Sequence, residues 1–360
     1  MNVLVTGAAG FLGSVLVPLL LERGFTVKAL DKFYFGTDPF KALRGNKSLE
    51  IIDADTRFFD PAVLKGVDAV IDLAAVAQTD PENILPPVLF YDMNVLGALR
   101  VASLSASAGV KRYIYASTTS VYGVRDDIAT EDSPVDPVEI YARTKYLAEQ
   151  SILNNTSVNF TPVDLSIIAK SASGGQTIPS QNIKLADNRF CATALRFATL
   201  YGYSPRMRFD LLLNRMVLSA YQGKILVGGD GEQQRVILHV KDAANAIIRV
   251  LDMEENRIRG EIFNIGDNRQ NFKIIELARI IKSVFPEREF EYYGDPDNRS
   301  FRVNFDKAER ILQFRANYTP AVAVAELRAR LEGGIMPQER DFDIPWWLKL
   351  SQEGKIKDKG

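Results

Sequence analysis

A tyrosine and a lysine lie four residues apart in the segment Tyr141-Ala142-Arg143-Thr144-Lys145. On a helix, this spacing puts the phenol and the ammonium group on one face. A free tyrosine has a pKa of about 10 and is a poor base at neutral pH, but a neighbouring positive charge favours the phenolate. The pair could therefore take a proton from a hydroxyl group while a hydride leaves the same carbon. The pattern is common in helices, so its meaning depends on the rest of the chain.

Hydroxyl side chains follow a short apolar run at 113–116, in the segment YASTTSVYG at 115–123. In an open sheet of parallel strands, ligands bind beyond the carboxyl ends of the strands. A hydroxyl group there can bond the substrate oxygen that the tyrosine would deprotonate. The other interpretation is a turn, rich in serine and threonine, that only caps the strand.

A glycine-rich turn, TGAAGFLG at 6–13, follows the first apolar run and opens a helical pattern. Glycines let backbone N–H groups approach a pyrophosphate at the N-terminus of a helix, and the last glycine allows close packing of helix on strand. Asp31 ends the second apolar run, where a carboxylate can accept hydrogen bonds from both ribose hydroxyls of NAD. Since it would repel a 2′-phosphate, NAD is favoured over NADP. The alternative is a glycine turn with an unrelated surface aspartate.

These groups need a scaffold, and the first 200 residues alternate short apolar runs with helical patterns. The runs lie at 3–6, 26–30, 49–53, 69–73, 113–116 and 192–200, and the main helical patterns at 11–23, 86–108 and 141–153. Continuously apolar runs are typical of strands buried on both faces, and alternation with helices favours right-handed parallel crossovers. We therefore predict an α/β fold with a Rossmann-type doubly wound parallel sheet.

Shorter elements follow, with helical patterns at 210–222, 242–251 and 274–284 and apolar runs at 236–239 and 261–265. We assign residues 1–200 to an NAD-binding Rossmann domain with an insert at about 154–189, which is long for a loop. Residues 201–335 form mainly a smaller C-terminal substrate-binding lobe, and 336–360 a C-terminal tail. Trp346 and Trp347 of the tail are expected to dock on the body of the protein.

Composition excludes several functional classes. The chain has 44 basic and 45 acidic residues and no long run of one sign, so nucleic-acid or anionic-membrane binding has little electrostatic support. The single cysteine, Cys191, is expected to be a buried structural thiol, and the single histidine, His239, rules out a metal site of several histidines. We predict no metal site. No apolar stretch reaches the roughly 18 residues of a membrane span, and the N-terminus has no signal-peptide pattern, so a cytoplasmic location is expected.

Together these segments resemble the extended short-chain dehydrogenase/reductase family, which includes nucleotide-sugar epimerases and dehydratases. The resemblance covers about residues 1–335, and its motifs occur in the family's order. They are TGAAGFLG at 6–13, Asp31, DADT at 53–56, DLAA at 72–75, Asn94, STTSVYG at 117–123, YARTK at 141–145, LRFATLYG at 195–202 and RVILHVKD at 235–242.

The resemblance implies roles for the matching residues. The implied catalytic residues are Thr118, Tyr141 and Lys145. The implied cofactor-binding residues are Gly7, Gly10, Phe11, Leu12, Gly13, Asp31, Asp55, Thr56, Leu73, Ala74, Ala75, Asn94, Tyr141 and Lys145. The candidate substrate-binding residues are Thr119, Thr199, Arg208, Arg235 and, by a looser match, Arg299. Arg208 belongs to Arg206-Met207-Arg208, which could grip a diphosphate, since guanidinium pairs bidentately with phosphate, or could be a solvated basic turn. A homodimer through the helices at 86–108 and 141–153 is also implied.

Three departures from the family's pattern affect the predicted reaction. Thr119 and Ser120 stand where the similar 4,6-dehydratases carry Asp-Glu, which disfavours dehydration. Asp72 replaces a histidine, and Thr199 replaces an asparagine found in many members. We predict an NAD-dependent epimerase that acts on a nucleotide-linked sugar through transient oxidation to a keto sugar, with Tyr141 as the base. The alternatives are an NAD(P)-dependent keto-sugar reductase or dehydrogenase with net redox, and a non-catalytic dinucleotide-binding protein.

Overall fold

The structure is a computed structural model that describes residues 1–77, 84–154, 190–295 and 300–356. Most of the predicted insert and Arg299 therefore lie outside the described residues. The strands within the described ranges are, in chain order, β1 (Asn2–Thr6), β2 (Thr26–Asp31), β3 (Leu49–Asp53), β4 (Ala69–Asp72), β5 (Arg112–Thr118), β6 (Ile128–Ala129), β7 (Cys191–Phe197), β8 (Thr199–Tyr201), β9 (Lys224–Gly228), β10 (Gln234–His239), β11 (Ile262–Ile265), β12 (Asn271–Lys273), β13 (Glu289–Tyr293) and β14 (Arg302–Val303).

Seven parallel strands form the central sheet, in the order β11-β7-β5-β4-β1-β2-β3. From β1 the chain builds outward to β2 and β3 and then returns to build β4 and its neighbours on the other side. The carboxyl ends diverge at this switch between β1 and β4, which is where an open α/β sheet binds its ligand. This order confirms the predicted Rossmann-type sheet.

The helices of the described residues are α1 (Gly13–Glu22), α2 (Pro87–Phe90), α3 (Ala98–Ser107), α4 (Ile140–Leu153), α5 (Leu212–Gln222), α6 (Val240–Asp252), α7 (Ile274–Val284), α8 (Asp306–Leu312), α9 (Pro320–Glu332) and α10 (Asp343–Gln352). Along β1, Val3 and Val5 face the core beneath α1 and α6, whereas Leu4 faces the core beneath α3 and α4. Both faces of the sheet are therefore covered, and this explains its continuously apolar strands. No helix within the described residues is long and apolar enough to cross a membrane.

Two predicted elements differ from the structure. The helix predicted at 86–108 contains a π-helical stretch, Tyr91–Gly97, between α2 and α3; such wider turns occur frequently at functional sites. The single strand predicted at 192–200 was wrong, because the chain leaves the central sheet at Ala198. The N–H of Ala198 still donates to the Ile265 carbonyl at 3.0 Å, but β8 pairs with β10 in a separate sheet.

The C-terminal half adds a lobe beside the carboxyl ends of the central sheet. β8, β10 and β12 form a three-stranded sheet, and β9 pairs with β13. Helix α9 packs on α5 and α7. The tail then crosses back to the loop after β2, where the Trp347 ring lies 5.3 Å from Tyr34 and 5.4 Å from Phe35. Trp346 Nε1 donates to the Tyr34 carbonyl at 2.7 Å, so the predicted docking of the tryptophans is confirmed.

Candidate active site

A cleft of about 790 Å³ runs along the carboxyl ends of the central strands and into the C-terminal lobe. Its floor is the glycine loop and the ends of β2, β4 and β5. One wall is α4, and the lobe and α10 form the other. The cleft therefore joins the predicted dinucleotide site, the predicted catalytic pair and the predicted substrate lobe.

The glycine loop fits a dinucleotide because two of its positions have no room for a side chain. Gly7 has φ of +61°, and a Cβ atom there would lie 2.8 Å from the backbone nitrogen of Ala74. A Cβ atom on Gly13 would lie 2.6 Å from the carbonyl oxygen of Ala8. The loop consequently packs against the end of β4 and the start of α1, with its backbone at the cleft surface. Gly10, Phe11 and Leu12 also line this part of the cleft.

Asp31 lies at the end of β2 with both carboxylate oxygens held by the backbone. Ala9 N–H donates to Oδ2 at 2.9 Å, and Phe33 N–H donates to Oδ1 at 2.7 Å. Burial raises the pKa of the Asp31 carboxyl, while these two N–H groups and the charge of Arg206 lower it. Asp31 lines the cleft with its carboxylate fixed in this way, so the group is placed to accept hydrogen bonds from a ribose.

The remaining cofactor candidates line the cleft on either side of this loop, with one exception. Asp55, Thr56, Leu73, Ala74 and Ala75 lie at the cleft surface, after β3 and β4. Asn94 lies behind the wall and is fully buried. Its Oδ1 accepts from Val76 N–H at 2.7 Å, and its Nδ2 donates to Thr144 Oγ1 at 3.1 Å. Asn94 thus ties the loop after β4 to the middle of α4, and its side chain positions the site without facing the cleft.

Thr118 and Tyr141 are brought together at the centre of the cleft. Thr118 ends β5, and its Oγ1 accepts from Ser120 N–H at 3.1 Å. Tyr141 lies in the first turn of α4 and lines the same cleft, near enough to Thr118 for that hydroxyl to affect its pKa. Burial raises the pKa of Tyr141, whereas the Arg208 charge and the Thr118 hydrogen bond lower it. The phenol therefore faces a hydroxyl partner and a cation, both of which favour its ionised form.

Lys145 lies one turn further along α4 and is buried. Its Nζ lies 4.1 Å from the ring centre of Tyr115. Burial lowers the pKa of Lys145 to about 8, although the negative charges of Asp72 and Glu149 raise it. Asp72, which stands where the family has histidine, accepts hydrogen bonds at 2.5 Å from Thr6 Oγ1 and from the Tyr113 hydroxyl.

A buried ion pair fixes α4 to the central sheet beneath these residues. Arg196 of β7 donates to Glu149 of α4 through Nε at 3.0 Å and Nη2 at 2.6 Å. Ser117 Oγ of β5 donates to the same carboxylate at 2.6 Å. Helix α4 and strands β5 and β7 therefore meet at the carboxylate of Glu149.

Thr119 does not reach the cleft, contrary to its predicted role in substrate binding. It is buried, and its hydroxyl donates to the Phe197 carbonyl at 3.2 Å. The chain enters a 3-10 turn after β5, which directs Thr118 and Ser120 to the cleft and Thr119 into the core. Ser120 lines the cleft instead, and it was not among the predicted site residues.

Three of the other substrate candidates, Thr199, Arg208 and Arg235, line the cleft, and Arg299 lies outside the described residues. Arg208 is buried, so the interpretation of 206–208 as a solvated turn was wrong. It donates to the Ala77 carbonyl at 2.7 Å and to both oxygens of Asp210 at 3.1 and 2.7 Å. It also lies 3.2 Å from Asp343 of α10.

Gln233 is a polar cleft residue that sequence reasoning missed. It is buried beside the cleft, and within the described residues neither atom of its side-chain amide has a hydrogen-bond partner. A buried amide left in this state costs free energy, which a bound polar ligand would recover. Its position two residues before Arg235 in the family motif is the signal that could have identified it.

Comparison with known proteins decides the family. Residues 3–163 and 181–266 match the NAD dependent epimerase/dehydratase family. The chain belongs to this family. It is 27% identical to the UDP-glucuronate 4-epimerase of Thermodesulfobacterium geofontis, over 90% of this chain and 92% of the relative. It is 28% identical to the uncharacterized UDP-glucose epimerase YtcB of Bacillus subtilis, over 91% and 95% of the two chains.

Solved structures give the same result. The structure of MoeE5 in complex with UDP-glucuronic acid and NAD superposes with a TM-score of 0.73 at 27% identity, over 93% of this chain and 100% of that one. The chain is thus an NAD-dependent enzyme of the extended short-chain dehydrogenase/reductase type. The glycine loop and Asp31 are the features of its cleft that fit the cofactor.

Proposed function

We propose that this protein is an NAD-dependent epimerase of a nucleotide-linked sugar. In this proposal one hydroxyl-bearing carbon of the sugar is oxidised transiently to a ketone and is then reduced from its other face. The observation that carries the proposal is that Tyr141 and Thr118 line one cleft with the glycine loop, with the Thr118 hydroxyl near enough to lower the pKa of the phenol.

In this proposal, residues of this chain take and return the proton of the sugar hydroxyl. Tyr141, as phenolate, takes the proton from the sugar hydroxyl, and Thr118 holds the same sugar oxygen. A bound NAD, held by the glycine loop and Asp31, would supply the hydride acceptor for that carbon and the hydride donor for its return. Lys145 and Arg208 stabilise the phenolate by their positive charge. Tyr141 then returns the proton to the oxygen of the rotated sugar, so that neither a proton nor a hydride is gained over the cycle.

The main alternative is a keto-sugar reductase or dehydrogenase with net redox, which uses the same residues but exchanges its cofactor at every turn. Relatives named UDP-glucuronic acid decarboxylase also occur, including one from Arabidopsis thaliana that is 27% identical over 91% of this chain and 68% of its own length. Arg208 is already bonded to Asp210 and Asp343, so it is not free to pair with a sugar carboxylate.

The first experiment is to denature the purified protein and to identify the released small molecules by mass spectrometry. A retained epimerase cofactor predicts about one NAD per chain and no net consumption of NADH with UDP-glucose or UDP-glucuronate, while the sugar product changes configuration. If the protein releases no NAD on denaturation and oxidises NADH in proportion to product, the net reductase replaces this proposal.

Tyr141→Phe tests the assigned base. Loss of the hydroxyl should lower kcat by at least about 100-fold, because general acid–base catalysis contributes factors of this size, while NAD binding is kept. Tyr146→Phe is the matched control, since Tyr146 lies on the same helix and does not line the cleft. Turnover that survives in Tyr141→Phe would exclude the proposed chemistry.

We also infer a homodimer, in which α3 and α4 of two copies pack together. Leu104 of α3 and Leu147 of α4 pack against the core that these helices share and remain only partly buried. Light scattering coupled to gel filtration should give twice the mass of the chain, and the mass of a single chain would contradict the inference.

A further inference from the structure

The loop after β8 is fastened to the first turn of α1. Ser204 Oγ donates to the Phe11 carbonyl at 2.7 Å and lies 2.7 Å from Ser14 Oγ. The N–H of Arg206 also donates to Ser14 Oγ, at 3.3 Å. Since the glycine loop and the start of α1 are where a dinucleotide diphosphate binds, these bonds place Arg206 beside that position.

The side chain of Arg206 is buried at the cleft and is only partly matched by protein groups. Its guanidinium carbon lies 3.8 Å from the ring centre of Phe35, and Nη2 donates to Asp343 at 2.5 Å. Its Nε is buried, and no residue in the described ranges accepts a hydrogen bond from it. Arg206 is near enough to Asp31 for its charge to lower the pKa of that carboxyl, against the larger effect of burial, which raises it.

The C-terminal tail supplies the partners that hold Arg206 in this position. Asp343 begins α10, and Trp347, one turn later, packs on Phe35, the ring beneath the guanidinium. Phe35, Asp343 and Trp347 all line the cleft. The tail thus closes the cleft on the side facing the glycine loop, next to the carboxylate that accepts the adenosine ribose.

We propose that Arg206, positioned by Asp343 of α10, is a further cofactor-binding residue that contacts the NAD diphosphate from the side opposite the glycine loop. A guanidinium with one unused donor is suited to a diphosphate, because it offers several N–H groups in fixed geometry together with a charge. Among the neighbouring charges, Asp31 and Asp343 would repel a diphosphate, and Arg206 offsets them. The proposal rests on the NAD dependence of the family and not on the epimerase reaction.

The test compares Arg206→Gln with the unaltered protein after bound nucleotide has been removed, by calorimetric titration with NAD, ADP and adenosine. The variant should bind NAD and ADP roughly 10- to 100-fold more weakly, since a hydrogen-bonded charge contributes about that much, and should bind adenosine equally well. Arg206→Lys keeps the charge without the planar fork and should fall in between. Arg340→Gln is the matched control, because Arg340 ties the same tail to Asp38 and the Phe35 carbonyl and does not line the cleft.

Each outcome decides the question. Unchanged NAD affinity in Arg206→Gln would overturn the proposal, and so would an equal loss of adenosine affinity, which would indicate damage to the pocket. A loss of NAD affinity in Arg340→Gln as large as that in Arg206→Gln would assign the effect to the docking of the tail. If Arg206→Gln does not fold, Arg206→Lys decides by the same comparison of NAD with adenosine. None of these readings depends on turnover, so they remain separate from a failure of the proposed reaction.

Discussion

The ion pair beneath α4 gives the sharpest stability prediction. The side chain of Glu149 is fully buried, and that of Arg196 is 2% exposed. Glu149→Gln keeps the shape of the side chain and leaves the guanidinium buried without its counter-charge. Removing one partner of a buried pair costs about 3–5 kcal/mol, so we expect the free energy of unfolding to fall by that amount.

The double variant Glu149→Leu with Arg196→Met separates charge from shape. It removes both charges, and apolar replacements of a buried pair are often nearly neutral. Ser117 then loses its acceptor, which costs about 1–3 kcal/mol. The double variant should therefore be more stable than Glu149→Gln, although it carries two substitutions.

Urea unfolding of the NAD-free proteins, followed by circular dichroism, measures these differences from the midpoints at constant m-value. Glu255→Gln is the control, because Glu255 and Arg259 form an ion pair whose side chains are both 39% exposed, and such pairs contribute less than about 1 kcal/mol. A fall of less than about 1 kcal/mol in the free energy of unfolding of Glu149→Gln would lie below the range for a broken buried pair and would refute our assignment of this stability to charge pairing. The same assignment is refuted if the double variant is the least stable of the proteins compared.

Three further predictions concern the cleft. Asp31→Ala should weaken NAD binding more than NADP binding in a calorimetric titration, because in its proposed role the carboxylate would accept hydrogen bonds from the ribose and would repel a 2′-phosphate. An unchanged preference would exclude this role. Asp72→Asn removes a negative charge that stabilises the Lys145 ammonium, so the pKa of Lys145 should fall below about 8. The alkaline limb of the kcat/KM profile should then move to lower pH, and an unmoved limb would contradict the role assigned to Lys145. Gln233→Leu should raise KM for the nucleotide sugar about tenfold and leave kcat nearly unchanged, since one buried hydrogen-bonded group is lost; a fall in kcat at constant KM would place Gln233 elsewhere in the reaction.

Local sequence patterns predicted the parts of the site that depend on neighbouring residues. Gly7 follows the first strand, Asp31 and Thr118 end the second and fifth, and Tyr141 and Lys145 are one helical turn apart. The order of parallel strands then brings these ends to one edge of the sheet. Element type and topology were therefore sufficient to place these five residues in one cleft.

The direction in which a single side chain points could not be predicted in the same way. Thr119 points into the core because β5 ends in a 3-10 turn, whereas an extended chain or another turn would have turned it differently. The strand predicted through Ala198 is divided because β8 pairs with a strand about 40 residues later in the chain. In both cases tertiary hydrogen bonds override a local apolar pattern.

The role of the tail depends on contacts that sequence patterns do not encode. Arg206 and Asp343 are 137 residues apart, and Trp346 and Tyr34 are 312 apart. The tryptophans indicated that the tail would dock, because large apolar side chains are rarely left in water, but not where. The cleft wall that α10 supplies is therefore a finding of the structure.

The closed cofactor side of the cleft bears on the choice between the two enzymatic reactions. An epimerase returns the hydride to the same sugar and has no need to release NAD, whereas a reductase with net redox must exchange its cofactor at every turn. A tail that lines this side of the cleft and positions Arg206 toward the diphosphate would slow release and leave the sugar side of the cleft unchanged. The dissociation rate of NAD from the unaltered protein, compared with its turnover number, should therefore agree with the mass-spectrometric result. A rate well below turnover supports the epimerase, because a net reductase cannot turn over faster than it exchanges cofactor.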